Sequence, residues 1–126
     1  QRQVAAISDR VRAVDASGAP WLLAGDMNSL PPGDSATRLG VVEAHKYDEE
    51  TPIQPWFDRF AHPVPPDEYA RNPERWFTYQ SHGNLPDRTL DYVFTGGPLS
   101  VLTHTAVLDA EKHSDHLPLV TRFRAD

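Results

Sequence analysis

Trp21-Leu22-Leu23-Ala24-Gly25-Asp26-Met27-Asn28 is the stretch on which the fold turns. Four apolar residues that stop at a glycine read as a short buried strand, and the carboxylate and amide beyond it are delivered at its C-terminal end. Leu30-Pro31-Pro32-Gly33 cannot prolong that strand, because the two prolines have no N–H for a ladder. Working outward toward the N-terminus, Val4, Ile7, Val11 and Val14 recur at helical spacing while Arg2, Asp9, Arg10 and Arg12 fall on other faces. The pattern predicts an amphipathic helix over residues 2–15, stopped by Ser17, Gly18 and Pro20. Asp9 and Asp15 fall on its solvated face. Helix, tight turn and buried strand predict α/β layering.

Toward the C-terminus, Asp34 or Ser35 is placed to cap a short helix over residues 35–39, with Gly40 as its stop. Residues 41–73 are rich in proline and carry Trp56, Phe57, Phe60 and Tyr69 without clean periodicity, which reads as a long structured loop. From residue 76 the pattern is β. Strands are predicted over 76–80, 89–95, 99–108 and 117–123, with a turn at 81–84 and a polar loop over 109–116. Alternation in the second of these puts Leu90, Tyr92 and Phe94 on one face and Asp91, Val93 and Thr95 on the other, with Asp91 turned inward beside apolar neighbours.

The 126 residues suit one domain, and 39% hydrophobic with 24% charged residues is the balance of a soluble globular chain. No apolar run reaches the roughly 18 residues that span a bilayer, so no transmembrane segment is predicted; the compartment stays open. Zero cysteines excludes disulfides, thiolate zinc sites and cysteine nucleophiles. A net charge of −6 argues against holding nucleic acid through counterion release, though carboxylates gathered around a hard cation would reverse the local sign.

Three segments place polar groups at strand ends: Gly25-Asp26-Met27-Asn28, Thr89-Leu90-Asp91-Tyr92 and Ser114-Asp115-His116. Each has a plain structural reading. Asp26 and Asn28 suit an Asx-turn, residues 114–116 suit a polar hairpin loop, and Asp91 suits an ion pair with Arg88 or simple solvation. His113 with His116 has a spacing found in some zinc sites, but a tetrahedral centre needs further ligands. Trp56, Phe57, Trp76 and Phe77 suit core packing better than a substrate-stacking wall.

Together, order and context resemble one family. The apolar strand closed by Gly25-Asp26-Met27-Asn28, the strand Arg88-Thr89-Leu90-Asp91-Tyr92-Val93-Phe94, and the closing Ser114-Asp115-His116-Leu117-Pro118-Leu119 resemble three motifs of the endonuclease/exonuclease/phosphatase superfamily, across residues 1–124. The resemblance implies a four-layer α/β/β/α sandwich with a mainly antiparallel or mixed sheet. In it, residues 1–126 would be the C-terminal portion of a single domain. It also implies metal-dependent hydrolysis of a phosphate ester by in-line attack of an activated water. Asp26 would orient or deprotonate that water and touch a metal, Asn28 would donate to a phosphate oxygen, and Asp91 would fix the His116 imidazole. Asp115 would offer a hard oxygen to Mg²⁺ or Mn²⁺. The superfamily's upstream Asn, Glu and His are not found in these residues, so full activity is expected to need the upstream half. Half of the sandwich would also leave a sheet face without its partner sheet, which implies that another copy or another polypeptide covers it, or that the chain is a fragment. The acidic charge favours a small phosphomonoester or phosphodiester over nucleic acid. The rival reading is a non-catalytic remnant that binds a phosphate-bearing ligand or a partner chain.

Overall fold

Helix α1 (Arg2–Asp15) forms where the apolar spacing predicts it, and its stripe meets the protein through Val4, Ile7 and the buried Val11. The computed structural model describes residues 2–34, 39, 46–47, 51–80, 85–110 and 114–126. The predicted helix at 35–39 and the turn at 81–84 lie outside the described residues, apart from Leu39. Ser8 does more than the pattern shows: its hydroxyl donates to the Val4 carbonyl (2.7 Å) and accepts from the buried Trp56 indole N–H (2.7 Å). Asp15 is not solvated as expected, because it accepts from the Trp21 indole (2.9 Å) and so ties helix to strand. Asp9 is at the surface, paired with Arg12.

Strand β1 (Trp21–Asp26) pairs antiparallel with β2 (Asp91–Gly96), in a register that sets Trp21 opposite Gly96 and Asp26 opposite Asp91. A Cβ on Gly96 would run into the Trp21 indole. Gly97 has φ 69°, where an added Cβ would also meet the Ala19 carbonyl, so both glycines are required for the chain to leave β2. Strands β3 (Leu99–Ala106) and β4 (Leu119–Ala125) make a second antiparallel pair, with a register shift between Val101 and Thr103. The described strands form two separate pairs, both antiparallel, as the mainly antiparallel expectation has it. The architecture is mixed α and β.

The proline-rich stretch departs furthest from the expected long loop. It holds two short helices, α2 (Gln54–Arg59) and α3 (Pro66–Arg71), and then a 3₁₀ turn at Pro73–Trp76. Each opens with a proline in its first turn, a place where the missing N–H costs nothing because no intrahelical acceptor exists for it. The predicted strand at 76–80 is likewise replaced: its start is the 3₁₀ turn, and Tyr79 makes only isolated bridges, to Arg88 and to His116.

These helices deliver aromatics to the core. Phe57 meets Phe94, Tyr92, Tyr69 and His62 edge-on, with centroids 4.8–6.0 Å apart, and Trp56 meets Phe94 likewise at 5.7 Å. Trp56, Phe57 and Trp76 are buried and Phe77 is partly buried, which is core packing. Phe94 and Tyr92, the inward face of β2, are fully covered by this cluster. The opposite face of the pair is open at Leu22, which is 54% exposed.

Candidate active site

The site begins with an electrostatic problem set by the β1–β2 register. Asp26 and Asp91 are direct cross-strand partners, and like charges placed opposite each other destabilise a sheet. The His116 ring lies between them. Its Nδ1–H donates to Asp91 Oδ2 at 2.8 Å, and its Nε2 faces Asp26 Oδ2 at 3.7 Å. Since a carboxylate only accepts, the Asp91 bond fixes the tautomer with a proton on Nδ1. Asp91 is the deeper carboxylate, 19% exposed against 35% for Asp26 and 30% for His116. Asp91 is partly buried as predicted, but its neighbour is an imidazole, not an apolar cluster.

The surroundings of His116 pull its proton affinity both ways. Burial lowers its pKa; the hydrogen bond to Asp91 and the charges of Asp91, Asp26 and Asp115 raise it, and the net direction is upward. The ring therefore favours the imidazolium more than a free histidine does.

Asp26 is held in place by Asn28, two residues further along the chain. Asn28 adopts φ 48°, its backbone N–H donates to Asp26 Oδ1 (2.8 Å), and its side-chain amide donates to Asp26 Oδ2 (3.1 Å). This is the Asx-turn of the plain reading, built from the same two residues that the family resemblance places in the site. Met27 N–H donates to the Leu90 carbonyl (2.8 Å) and carries the ladder one residue past β1. On the other side, the Tyr92 hydroxyl points at the Ser29 and Thr89 carbonyls (2.6 and 3.0 Å), fastening the loop after β1 to β2.

Asp115 is exposed beside His116, and its charge reaches the ring. Among the described residues no group of three or more His, Asp or Glu side chains is gathered tightly enough to hold a metal ion. His113 lies outside the described residues. Arg88 does not pair with Asp91: it is buried, forks onto Asp87 (2.6 and 2.7 Å), donates to the Tyr47 hydroxyl (3.1 Å), and lies over the Tyr79 and Tyr47 rings.

Residues 78–80, which no motif marks, bind both halves of the site. Thr78 is fully buried and Gln80 nearly so, and both bond to the segments that carry Asp91 and His116. A Thr-Tyr-Gln run in a predicted strand gives no sign of this, since nothing local marks a threonine whose hydroxyl caps two distant amides.

The chain belongs to the endonuclease/exonuclease/phosphatase family, whose model it matches over residues 1–116. No curated protein and no solved structure gave a significant match. Membership points to a hydrolase acting on phosphoesters, in a family that generally depends on divalent metals. No helix among the described residues is long and apolar enough to cross a membrane.

Proposed function

We propose that Asp26, Asn28, Asp91 and His116 form the hydrolytic centre of a divalent-metal-dependent phosphoesterase. The observation that carries the reading is the imidazole set between two carboxylates, bonded to Asp91 and facing Asp26 at the end of the β1–β2 pair. Hydrolysis of a phosphate ester needs a water placed in line with the leaving oxygen and positive or donor groups on the non-bridging oxygens. Asp26 orients or deprotonates the water. Asn28 offers a second amide N–H to a phosphate oxygen, its first being used on Asp26. His116 serves either as a cationic phosphate contact or as a proton carrier, and Asp91 holds its orientation.

Mg²⁺ or Mn²⁺ would meet hard oxygens of Asp115 and Asp26, a set that needs completion from elsewhere, and would supply charge neutralisation at the phosphate. The same reading takes the four-layer α/β/β/α arrangement as the complete architecture, with the exposed face around Leu22 as the one a second sheet covers, contributed by another chain or segment. The favoured substrate is a small phosphomonoester or phosphodiester, supported by the net charge of −6. The test is hydrolysis of p-nitrophenyl phosphate and bis(p-nitrophenyl) phosphate with Mg²⁺ or Mn²⁺, using the full-length protein that carries this chain. Metal-dependent turnover that His116→Ala removes is the expected result; phosphate binding without turnover on a broad ester panel would favour the binding-only remnant.

A further inference from the structure

Thr78, Tyr79 and Gln80 stand where the two halves of the site meet, and each engages them differently. The Thr78 hydroxyl oxygen accepts from the backbone N–H groups of Leu90 (3.0 Å) and Asp91 (3.1 Å). Its own N–H donates to the Arg88 carbonyl (2.9 Å), and its carbonyl accepts from Leu117 N–H (2.7 Å). One fully buried residue thus fixes the backbone of Asp91 and the residue after His116. Gln80 does the same for the preceding residues: its N–H donates to the Asp115 carbonyl (2.9 Å) and its side-chain amide to the Ser114 carbonyl (3.1 Å). Tyr79, between them, lays its ring edge-to-face against the imidazole at 5.2 Å, while the Arg88 guanidinium lies 5.1 Å from the centre of the same tyrosine ring.

We propose that residues 78–80 are the positioning element of the site, with Thr78 and Gln80 setting the separation of Asp91 and His116 and Tyr79 setting the tilt of the imidazole. The physical ground is that Asp91 and His116 come from segments with no direct strand pairing to each other, so their 2.8 Å contact depends on a third segment bonded to both. A buried hydroxyl that accepts two amides cannot be removed without freeing both. A shift of about 1 Å in such a pair costs on the order of a hundredfold in rate where the pair is catalytic.

The inference rests on the phosphoesterase reading for its kinetic consequence but not for its structural one, and the test separates them. In the full-length protein, Thr78→Val keeps shape and removes the acceptor, and Thr78→Ser restores it. Gln80→Leu removes the anchor of the His116 loop, and Tyr79→Leu removes the ring that Tyr79→Phe keeps. The readouts are the downfield Nδ1 proton resonance of His116 and the separate values of kcat and KM on bis(p-nitrophenyl) phosphate. Thr78→Val, Gln80→Leu and Tyr79→Leu are expected to shift or broaden that resonance and to lower kcat about tenfold or more with KM little changed. Thr78→Ser and Tyr79→Phe are expected to retain both. Variants that lose thermal stability yet keep the resonance and kcat of the parent would overturn the proposal. Should the parent protein hydrolyse no phosphoester, the phosphoesterase reading fails while the resonance still decides the positioning role. Should Thr78→Val fail to fold, the Gln80 and Tyr79 variants decide it.

Discussion

His116 sits between two carboxylates that the sheet register would otherwise set against each other, and its protonation is the variable most open to measurement. Burial works against the charge and the Asp91 hydrogen bond works for it, with a net rise in pKa. A side-chain NMR titration should place His116 above the ordinary value of about 6.5, and Asp91→Asn should bring it down. A folded-state pKa above the unfolded one gives a stability contribution fully present below about pH 6.5 and lost as pH rises through the folded value. Asn28 offers a second residue-scale test, because its left-handed φ of 48° and its bonds to Asp26 are separable. Asn28→Ala should cost about 1–2 kcal/mol in urea denaturation, and Asn28→Gly distinctly less, since only alanine places a Cβ in that region. Both should lower hydrolysis, because both remove the amide. Equal stability losses in the two would show that the turn does not depend on the backbone conformation.

Among the elements, β2 and its exit carry the clearest predictions. Gly97→Ala combines a positive φ with a clash against the Ala19 carbonyl, and should destabilise by about 2 kcal/mol or more. Tyr92→Phe removes the hydroxyl that serves the Ser29 and Thr89 carbonyls and should cost about 1–3 kcal/mol by thermal or chemical denaturation. How far these elements can be read beforehand depends on where their information lies. Helix α1 and strand β2 are legible because Val4, Ile7 and Val11 and the alternation at Tyr92 and Phe94 carry a local period, and β1 because the apolar run Trp21 to Ala24 stops at a glycine. Helices α2 and α3 are not, since Pro55 and Pro66 read as breakers when they are helix starters, and six residues are too few for a period to emerge. Asp26, Asn28, Asp91 and His116 are legible as polar groups in an ordered set of motifs. Thr78 and Gln80 are not, because their partners are tertiary: an amide and a carbonyl distant along the chain leave no trace in the local sequence.

At the scale of the molecule, an aromatic cluster stands behind the site, with Phe57 and Phe94 at its centre. Phe57→Ala should cost about 3–5 kcal/mol, which for a domain of this size is a large share of its stability. The β3–β4 pair joins the rest partly through His104, stacked on Trp76 at 5.7 Å and bonded through Nδ1 to the Thr121 hydroxyl (2.7 Å). Burial lowers the pKa of His104, so its influence runs opposite to that of His116: stability is intact above about pH 6.5 and falls as the pH drops toward the folded value. A pH series of melting temperatures should therefore show a smaller loss just below about pH 6.5 in His104→Phe than in the parent.

The three site segments converge only in the folded chain, where the proposed function has them act as one catalytic unit. The most direct measurement is the rate of bis(p-nitrophenyl) phosphate hydrolysis by the full-length protein and by its Asp91→Ala, His116→Ala and double variants. Each single change should lower kcat by about 10²–10⁴, with the double variant no slower than the slower single, because the second residue has no role once the first is gone. Turnover that survives both changes, or losses that simply multiply, would mean that Asp91 and His116 do not act as one unit.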